Sequence, residues 1–259
     1  MTLSPAVMGF FAVLAKEVTP EKKNFLANIF GIILRKIYDF MSSAIPVEPE
    51  LFSYLAMSII IVTIFFKLIL LPLSIKQSKS TKMMSEINPK IKELQVKYKN
   101  DPNTLADKQR KLYKEMGYNP MSGCLLLLLQ LPIIIALFSV LREPQLYAFS
   151  DPGMYDSMNK AMLWIPNLDL KDPVIFGLPL MAAVATFLQS KITQQGQVVT
   201  DAQQQSMTNT MMYMGPVMIF FFAMRYPAGL ALYWTVSSFF SVFQQIIINH
   251  SKVGEKEKA

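Results

Sequence analysis

The sequence predicts an all-α polytopic membrane protein. We expect five transmembrane helices, an N-terminal interfacial amphipathic helix and a cytoplasmic helical hairpin. Of the 259 residues, 52% are hydrophobic and only 17% are charged, whereas soluble domains average about 25% charged residues. The apolar residues are gathered in runs long enough to cross a bilayer, and the basic residues are concentrated between those runs. A chain of this length accommodates one membrane domain.

The polar composition argues against most kinds of enzyme. The one cysteine, Cys124, lies in an apolar run, and the one histidine, His250, adjoins the charged tail. A His/Cys metal cluster or a serine–histidine pair within the membrane is therefore not expected. The phosphate-binding pattern GxxxxGK[ST] does not occur, so we expect no nucleotide hydrolysis. We predict no catalytic residue, no metal and no cofactor.

The N-terminal part of the chain divides into two segments. Residues 1–23 contain a short apolar stretch, typical of the remnant of a signal peptide or of a second interfacial segment. Residues 24–45 place polar side chains on one helical face and apolar side chains on the other, which predicts a helix lying in the membrane interface. The alternative is a sixth span that is interrupted by Arg35, Lys36 and Asp39.

Five apolar segments follow and are predicted to span the membrane. The fourth and fifth are separated by only four residues, which indicates a tight hairpin. Prolines within the segments are tolerated in membranes, where neighbouring helices satisfy the freed carbonyls. The predicted spans are 52–75, 120–142, 173–191, 208–224 and 229–249.

The charges of the loops predict the orientation. Loop 76–116 carries eleven basic and five acidic residues, so the positive-inside rule places it in the cytoplasm. Loop 143–172 carries five acidic residues against Lys160 and Lys171, so we expect it outside. The N-terminus then lies outside, whereas loop 192–207 and the tail 250–259 are cytoplasmic.

The basic loop is itself predicted to fold. Residues 89–99 and 104–116 space their apolar side chains at helical steps, and the turn signal Asn-Asp-Pro-Asn stands between them. This pattern predicts an antiparallel helical hairpin that protrudes from the membrane within 76–116.

Lys67 is the most informative residue, because it lies inside the first predicted span. An ammonium in hydrocarbon costs at least about 2.5–3.5 kcal/mol. Lys67 is nine residues from Lys76, or ~13 Å along a helix, which a lysine side chain does not reach by snorkelling. We therefore expect Lys67 to face a polar chamber in the inner half of the membrane. The candidates to line it are Thr63, Gln130, Gln189, Tyr233, Trp234, Ser237 and Ser238.

An alternative interpretation keeps Lys67 near the end of its span, with the glutamines simply holding helices together. The cores of the predicted spans contain no acidic residue, so a carboxylate partner for Lys67 within the chain is not expected. A buried cation of this kind attracts an acidic group from outside the chain.

Several motifs occur in the order that is characteristic of one family. Lys67 is followed by Pro72, and the further motifs are KMMSEINPKIKELQVKYKND (82–101), LYKEMGYNPMSGC (112–124), LLLQLPIIIALF (127–138), FLQSKIT (187–193) and RYPAGLALYW (225–234). With them the chain resembles the YidC family of membrane protein insertases, in the compact Gram-positive-type form that lacks the large periplasmic domain. Leu125 departs from the pattern, because many members have proline after the residue that corresponds to Cys124.

The resemblance implies a mechanism. Family members form a hydrophilic groove that is open to the cytoplasm and to lipid, and Lys67 would receive the acidic, short extracellular tail of a nascent membrane protein. Gln130, Gln189 and Trp234 carry over as polar groove positions, and the substrate would leave along the third and fifth spans. The hairpin would recruit substrate, the ribosome or targeting machinery such as the signal recognition particle receptor. The basic residues expected on its surface are Lys82, Lys90, Lys92, Lys97, Lys99, Arg110 and Lys111.

We therefore expect an insertase and chaperone of the bacterial plasma membrane that acts alone or with the Sec translocon. It would perform no covalent chemistry and would bind no specific nucleic acid. The alternative class is a small polytopic transporter or channel for an anionic solute. An intramembrane protease or lipid transferase lacks a partner for the Ser237–Ser238 pair. A scaffold beside the secretion channel would share the groove without inserting proteins on its own.

Overall fold

The computed structural model describes residues 25–118, 122–194 and 202–256, and of these the backbone alone for 81–82, 84–85, 122–131, 194, 202–211 and 249–256. The predicted N-terminal segment 1–23 lies outside the described residues. Within these ranges every regular element is a helix, and extended pairing is confined to isolated bridges. The helices are α1 (Phe25–Ala44), α2 (Tyr54–Ile69), α3 (Leu71–Lys97), α4 (Pro102–Glu115), α5 (Ser122–Arg142), α6 (Pro144–Tyr147), α7 (Met154–Ser157), α8 (Leu178–Gln194), α9 (Ala202–Arg225) and α10 (Ala228–Lys256).

The predicted all-helical architecture is confirmed, whereas the number of spans stays a prediction. Within the described residues, one stretch, Ala228–Ile248, is long and apolar enough to cross a membrane by itself. The bent pair Tyr54–Ile69 and Leu71–Ser80 would add a second if it forms a single span. Pro132–Arg142 and Met212–Arg225 are apolar but shorter.

The chain forms two compact units. The first comprises the described parts of Met1–Val62 and Leu129–Asp169, and the second comprises those of Thr63–Leu128 and Leu170–Ala259.

In the first unit, α1 packs against the short helix α6. The contact stripe of α1 is Ala27, Phe30, Gly31 and Leu34, which are all buried. Gly31 is required there, because a Cβ at this position would lie 2.1 Å from the carbonyl oxygen of Tyr147. The predicted apolar face is therefore only partly buried within the unit: it contributes Phe30 and Leu34, whereas Phe25 is exposed.

The acidic loop that follows α6 is folded rather than extended. Tyr155 is buried and donates a hydrogen bond to Asp169. Lys160 pairs with the same carboxylate at 2.9 Å, and its ammonium lies 3.9 Å from the centre of the Tyr155 ring. Burial and the hydrogen bond to Asp169 together raise the pKa of Tyr155 far above its usual value.

Arg35 ties α1 to this loop. Its guanidinium donates to Asp39 at 2.9 Å and to Asp151 at 2.8 Å, and the bond to Asp151 raises the pKa of Arg35 above its usual value. Phe149, which is buried beside Tyr155, packs its ring edge-to-face against Tyr38. Arg35, which belongs to the polar face predicted for 24–45, thus makes its contacts within the protein.

Helix α2 begins at a capped end. The side chain of Ser53 accepts the backbone N–H of Ala56 at 3.2 Å, and Glu48 accepts that of Tyr54 at 2.6 Å. These bonds satisfy N–H groups that an isolated helix start leaves without partners.

The first predicted span, 52–75, is divided between two helices. Helix α2 ends at Ile69, α3 begins at Leu71, and their axes differ by 55°. Pro72, in the first turn of α3, explains the break, because proline has no N–H and its ring collides with the carbonyl four residues earlier. The helix predicted to start at Pro89 begins instead at Leu71 and passes through Pro89 to Lys97.

Helices α3 and α4 contact each other and are joined by a short turn. Ile87 and Ile91 are buried on α3. Asp101 caps α4 by accepting the N–H of Thr104 at 3.1 Å, and Pro102 occupies the first turn, as helix starts favour. The predicted turn sequence thus lies between the two helices of the hairpin.

Helix α8 is the centre of the second unit, because it packs against both α9 and α10, which contact each other little. Small buried side chains allow the close approach. They are Ala182 and Ala185 on α8, Ala223 on α9, and Ala228 and Ala231 on α10. The predicted tight connection between the last two helices is formed by Tyr226 and Pro227.

We predict that Gly31→Ala destabilises the protein. The added Cβ meets a backbone oxygen that cannot rotate away, and overpacking of this kind costs roughly 1–3 kcal/mol. Thermal unfolding in detergent should show a lower midpoint. Lys36→Ala, at an exposed position of the same helix, is the control and should leave the midpoint nearly unchanged. An unaltered midpoint for Gly31→Ala would show that α1 does not rest on α6 as described.

We also predict that Tyr155 makes the stability of the folded protein fall with rising pH above pH ~10. Its pKa is raised in the folded protein, so its contribution is complete below the unfolded pKa of about 10 and is lost as the pH rises beyond it. Between pH 9 and 11 the unfolding midpoint should fall more steeply for the wild type than for Tyr155→Phe. Equal slopes for the two proteins would contradict the prediction, whatever the constant offset between them.

Candidate functional site

Lys67 lies in the last turn of α2, directly before the break at Leu70. The end of a helix presents carbonyl groups without helical partners and a partial negative charge, which favours a cation. The side chain is half-buried. The lysine that the sequence places inside one long span thus lies at the end of a helix, close to the break.

The ammonium of Lys67 is held by a serine on α10. Lys67 Nζ donates to Ser241 Oγ at 2.8 Å, and Ser241 Oγ donates in turn to the backbone carbonyl of Ser237 at 2.9 Å. A serine hydroxyl has one hydrogen and two lone pairs. Because the hydrogen is engaged by Ser237, the lone pairs are directed to the ammonium.

Ser241 belongs to a row of polar side chains along one face of α10, which we call the α10 polar stripe. Its members are Trp234, Ser238, Ser241 and Gln245, spaced by four, three and four residues, so they share one face of the helix. Each member contacts a polar group on a neighbouring helix of the second unit.

The first two members of the stripe meet α8. The indole N–H of Trp234 donates to Thr186 Oγ1 at 3.2 Å, and Thr186 Oγ1 lies 3.4 Å from Ser238 Oγ. Thr186 also donates to the carbonyl of Ala182 at 2.7 Å. This cluster fixes the register between α8 and α10.

The last member of the stripe meets α3. Ser78 Oγ donates to Gln245 Oε1 at 2.9 Å. The stripe therefore connects α10 to α8, to the end of α2 and to the start of α3, which are the elements on both sides of the α2–α3 break.

The structure brings several of the residues predicted to line the chamber together, whereas the chamber itself stays a prediction. Lys67, Trp234, Ser237 and Ser238 take part in the contacts just described, and Thr63 is buried one turn before Lys67. The other two described candidates flank these contacts: Tyr233 is buried with its ring centre 6.4 Å from that of Trp234, and Gln189 is half-buried on α8 three residues after Thr186. The side chain of Gln130 lies outside the described residues.

The sequence interpretation missed four polar members of this site: Thr186, Ser241, Gln245 and Ser78. The signal for two of them was present, because Ser241 and Gln245 continue the helical spacing of Trp234 and Ser238. Thr186 and Ser78 carry no pattern of their own, and they become visible only when the helices are placed side by side.

Lys67 differs in its bonding partner from the other half-buried basic residues described above. Arg35 and Lys160 each pair with a carboxylate. Within the part of the chain that the structure describes, no ion pair involves Lys67, and no group of three His, Cys, Asp or Glu side chains could hold a metal. The hydroxyl of Ser241 stabilises the ammonium without neutralising its charge.

The basic side chains predicted for the hairpin surface are exposed where they are described. Lys90, Lys92, Lys97, Lys99, Arg110 and Lys111 are all exposed, whereas the side chain of Lys82 lies outside the described residues. Lys97 lies over the ring of Tyr98, with its ammonium 5.6 Å from the ring centre.

Comparison with known proteins establishes the family. Residues 48–256 match the family described as 60Kd inner membrane protein. The chain is 38% identical to membrane protein insertase YidC 1 of Listeria monocytogenes, over all of this chain and 86% of that protein. It belongs to the YidC family. Two other YidC insertases show similar relationships, from Fusobacterium nucleatum (40% identity, 74% of this chain, 84% of that protein) and Oceanobacillus iheyensis (36% identity, 77% and 76%). The resemblance seen in the sequence motifs is thereby confirmed.

The part of the chain that matches the YidC family contains the whole site. It includes α2 with Lys67, both helices of the hairpin, and the helices α8 to α10. The chain is thus a membrane protein of the same family as named insertases, and the residues around Lys67 are the candidates for its function.

We predict that Thr186→Val changes the environment of Trp234. Valine has nearly the shape of threonine but cannot accept the indole hydrogen bond, whose net contribution is about 1 kcal/mol. In a Trp164→Phe background Trp234 is the only tryptophan, and its fluorescence should shift to shorter wavelength. Thr186→Ser, which keeps the hydroxyl, is the matched control. An identical emission spectrum for the valine and serine variants would show that the indole is not bound by residue 186.

Proposed function

We propose that this protein is a membrane protein insertase and chaperone of the plasma membrane, in which Lys67 receives the acidic extracellular tail of a nascent membrane protein. The observation that carries the proposal is the ammonium of Lys67, half-buried and held by the neutral hydroxyl of Ser241 at the end of an apolar helix. The relatives named above are membrane protein insertases. The positive charge in such a position suits an anionic group that arrives from outside the chain.

We propose a topology of five spans. The spans would be formed by α2 with the start of α3, by α5, α8, α9 and α10, with α1 at the outer interface. The N-terminus would lie outside and the C-terminus in the cytoplasm. The excess of basic residues in 76–116 and the acidic residues in 143–172 support this orientation.

The first step is electrostatic. A carboxylate about 4 Å from an ammonium gains about 4 kcal/mol at an effective dielectric constant of about 20. That gain offsets part of the cost of taking the tail's acidic group out of water. Lys67 retains donor capacity for this step, because an ammonium has three hydrogens and Ser241 accepts only one.

The second step is solvation by the protein. The hydroxyl groups along α10 and the indole of Trp234 would form the polar side of a groove, together with Gln130 and Gln189. A polar lining shortens the apolar distance that the substrate's tail must cross. The proposal is supported by the polar contacts that the stripe makes at Trp234, Ser241 and Gln245.

The third step is release into lipid. Burial of the substrate's apolar span contributes about 25 cal/mol for each Å² removed from water, so no nucleotide or covalent intermediate is needed. Helices α8 and α10 offer exposed apolar side chains along which a substrate span could leave. They include Leu180, Val184 and Leu188 on α8, and Phe239, Phe243 and Ile247 on α10.

The hairpin α3–α4 would recruit the substrate or its delivery machinery. Its exposed lysine and arginine side chains suit an acidic partner such as the ribosome surface. We propose the ribosome, the signal recognition particle receptor and the Sec translocon as partners, with no specific recognition of nucleic acid.

A transporter or channel for an anionic solute is the second candidate, because a half-buried cation would also attract a small anion. The two candidates differ in one measurement. Purified protein in liposomes should show no flux of small anions if it is an insertase, and should show flux if it is a transporter.

We predict that Lys67→Ala impairs insertion of acidic-tailed substrates and that Lys67→Arg retains it. The assay is insertion of a single-span substrate into liposomes that contain only this protein, with protease protection as the readout. Loss of the charge removes up to about 4 kcal/mol of favourable interaction, so the insertion rate is expected to fall by roughly tenfold to a thousandfold. Lys171→Ala changes the net charge equally at an exposed position and should have little effect.

The proposal is wrong if Lys67→Ala inserts acidic-tailed substrates as well as the wild type does. If no variant inserts and the wild type also fails without the Sec translocon, the protein acts with that channel rather than alone.

A further inference from the structure

The hydrogen bond between Ser241 and the ammonium of Lys67 is unusual among the hydroxyl groups of this protein. It accepts from Lys67 at 2.8 Å and donates to the carbonyl of Ser237 at 2.9 Å, one helical turn earlier on α10. Other hydroxyl groups of this protein also donate to the carbonyl four residues earlier, as Thr235 does to Ala231 at 2.8 Å. Among these hydroxyl groups, within the part of the chain that the structure describes, only that of Ser241 accepts from an ammonium.

The geometry fixes the direction of the ammonium. A lysine side chain has four rotatable carbon–carbon bonds between its backbone and its nitrogen, and a charge at its end otherwise samples many positions. The hydroxyl of Ser241 cannot turn its lone pairs away without losing its bond to Ser237. Nζ is therefore anchored to α10, and two of its three hydrogens are left for other acceptors.

It is also important that Ser241, which holds the ammonium, is uncharged. An aspartate at position 241 would hold the ammonium more strongly, but it would cancel the charge and would compete with an incoming carboxylate. An apolar residue would leave the charge without a fixed position. A serine holds the ammonium and keeps its full charge, and it can remain bonded while a carboxylate occupies another hydrogen.

We propose that Ser241 is the positioning residue of Lys67 and that it determines how strongly the protein prefers acidic over uncharged substrate tails. This inference rests on the proposed function, since it concerns the same charge. It assigns to Ser241 no contact with the substrate. Its effect passes through Lys67, whose ammonium it places at a defined point beside α10.

The test compares two nearly isosteric substitutions, Ser241→Thr and Ser241→Val, with Ser241→Ala as a third variant. Threonine keeps a hydroxyl that can bond to Ser237 and to Lys67, whereas valine and alanine do not. Each purified protein is reconstituted in liposomes, and insertion is measured for two substrates that differ only in tail residues, Asp in one and Asn in the other. Thr235→Val, which removes a hydroxyl bonded in the same way but not to Lys67, is the matched control.

We expect the preference for the Asp tail over the Asn tail to fall about tenfold in the valine and alanine variants, as expected for loss of one hydrogen bond to a charged group. Ser241→Thr and Thr235→Val should retain the preference. In a Lys67→Ala background, Ser241→Val should have no further effect on the preference, because the charge that it positions is absent.

Three results would overturn the inference. If the valine and alanine variants lower the insertion of both substrates by the same factor, the preference is unchanged and Ser241 has only a structural role. If they keep the wild-type preference while Lys67→Ala loses it, Lys67 acts without Ser241, and the proposed function stands. If Lys67→Ala itself keeps the preference, the proposed function fails, and the inference fails with it.

Discussion

The arrangement of α3, α10 and the end of α2 in the second unit depends on how the ammonium of Lys67 is accommodated. An ammonium in an apolar segment must be stabilised, and Lys67 reaches Ser241 on α10 from the last turn of α2. Pro72 interrupts the backbone ladder directly after this turn. The same break lets α3 leave at 55° and continue as the first helix of the hairpin. Placement of the charge and placement of the hairpin thus follow from one proline.

Helix α10 also holds the neighbouring helices of the second unit in place through polar contacts. Its polar stripe bonds to α8 through Thr186, to α2 through Lys67 and to α3 through Ser78. The helix is otherwise apolar, with Ala228 and Ala231 buried and Phe243 exposed. A few hydroxyl and amide groups therefore specify which face of α10 meets each neighbour, since hydrophobic burial alone does not orient helices in lipid.

The sequence allows the fold class and the key charge to be predicted, because both depend on local properties. The apolar runs and their loops indicate a helical membrane protein, and a lysine inside such a run is conspicuous. The break at Leu70 was not predicted, although Pro72 was noted, because prolines in spans are often accommodated without ending the helix. The start of α3 was misplaced to Pro89 for the opposite reason, since that proline lies within a continuous helix.

Contacts between distant parts of the chain are harder to predict from sequence. Gly31 carries no signal that its Cβ would meet Tyr147, which is 116 residues away. Thr186 and Ser78 are ordinary hydroxyl residues until α10 is placed against them. Ser241 belongs to the site because of the face that α10 presents and the place where α2 ends. Neither of these can be predicted from one sequence.

The choice of lysine rather than arginine is consistent with this arrangement. A lysine ammonium is a compact charge with three hydrogens, and one hydroxyl is enough to hold it while leaving the others available. A guanidinium presents five N–H groups in a planar fork and would need several acceptors to be held in one place. The described environment of Lys67 offers one side-chain acceptor, Ser241, at hydrogen-bonding distance. A single hydroxyl beside a lysine therefore gives a charge that is fixed in position and still able to bind an anion, as the proposed role of Lys67 requires.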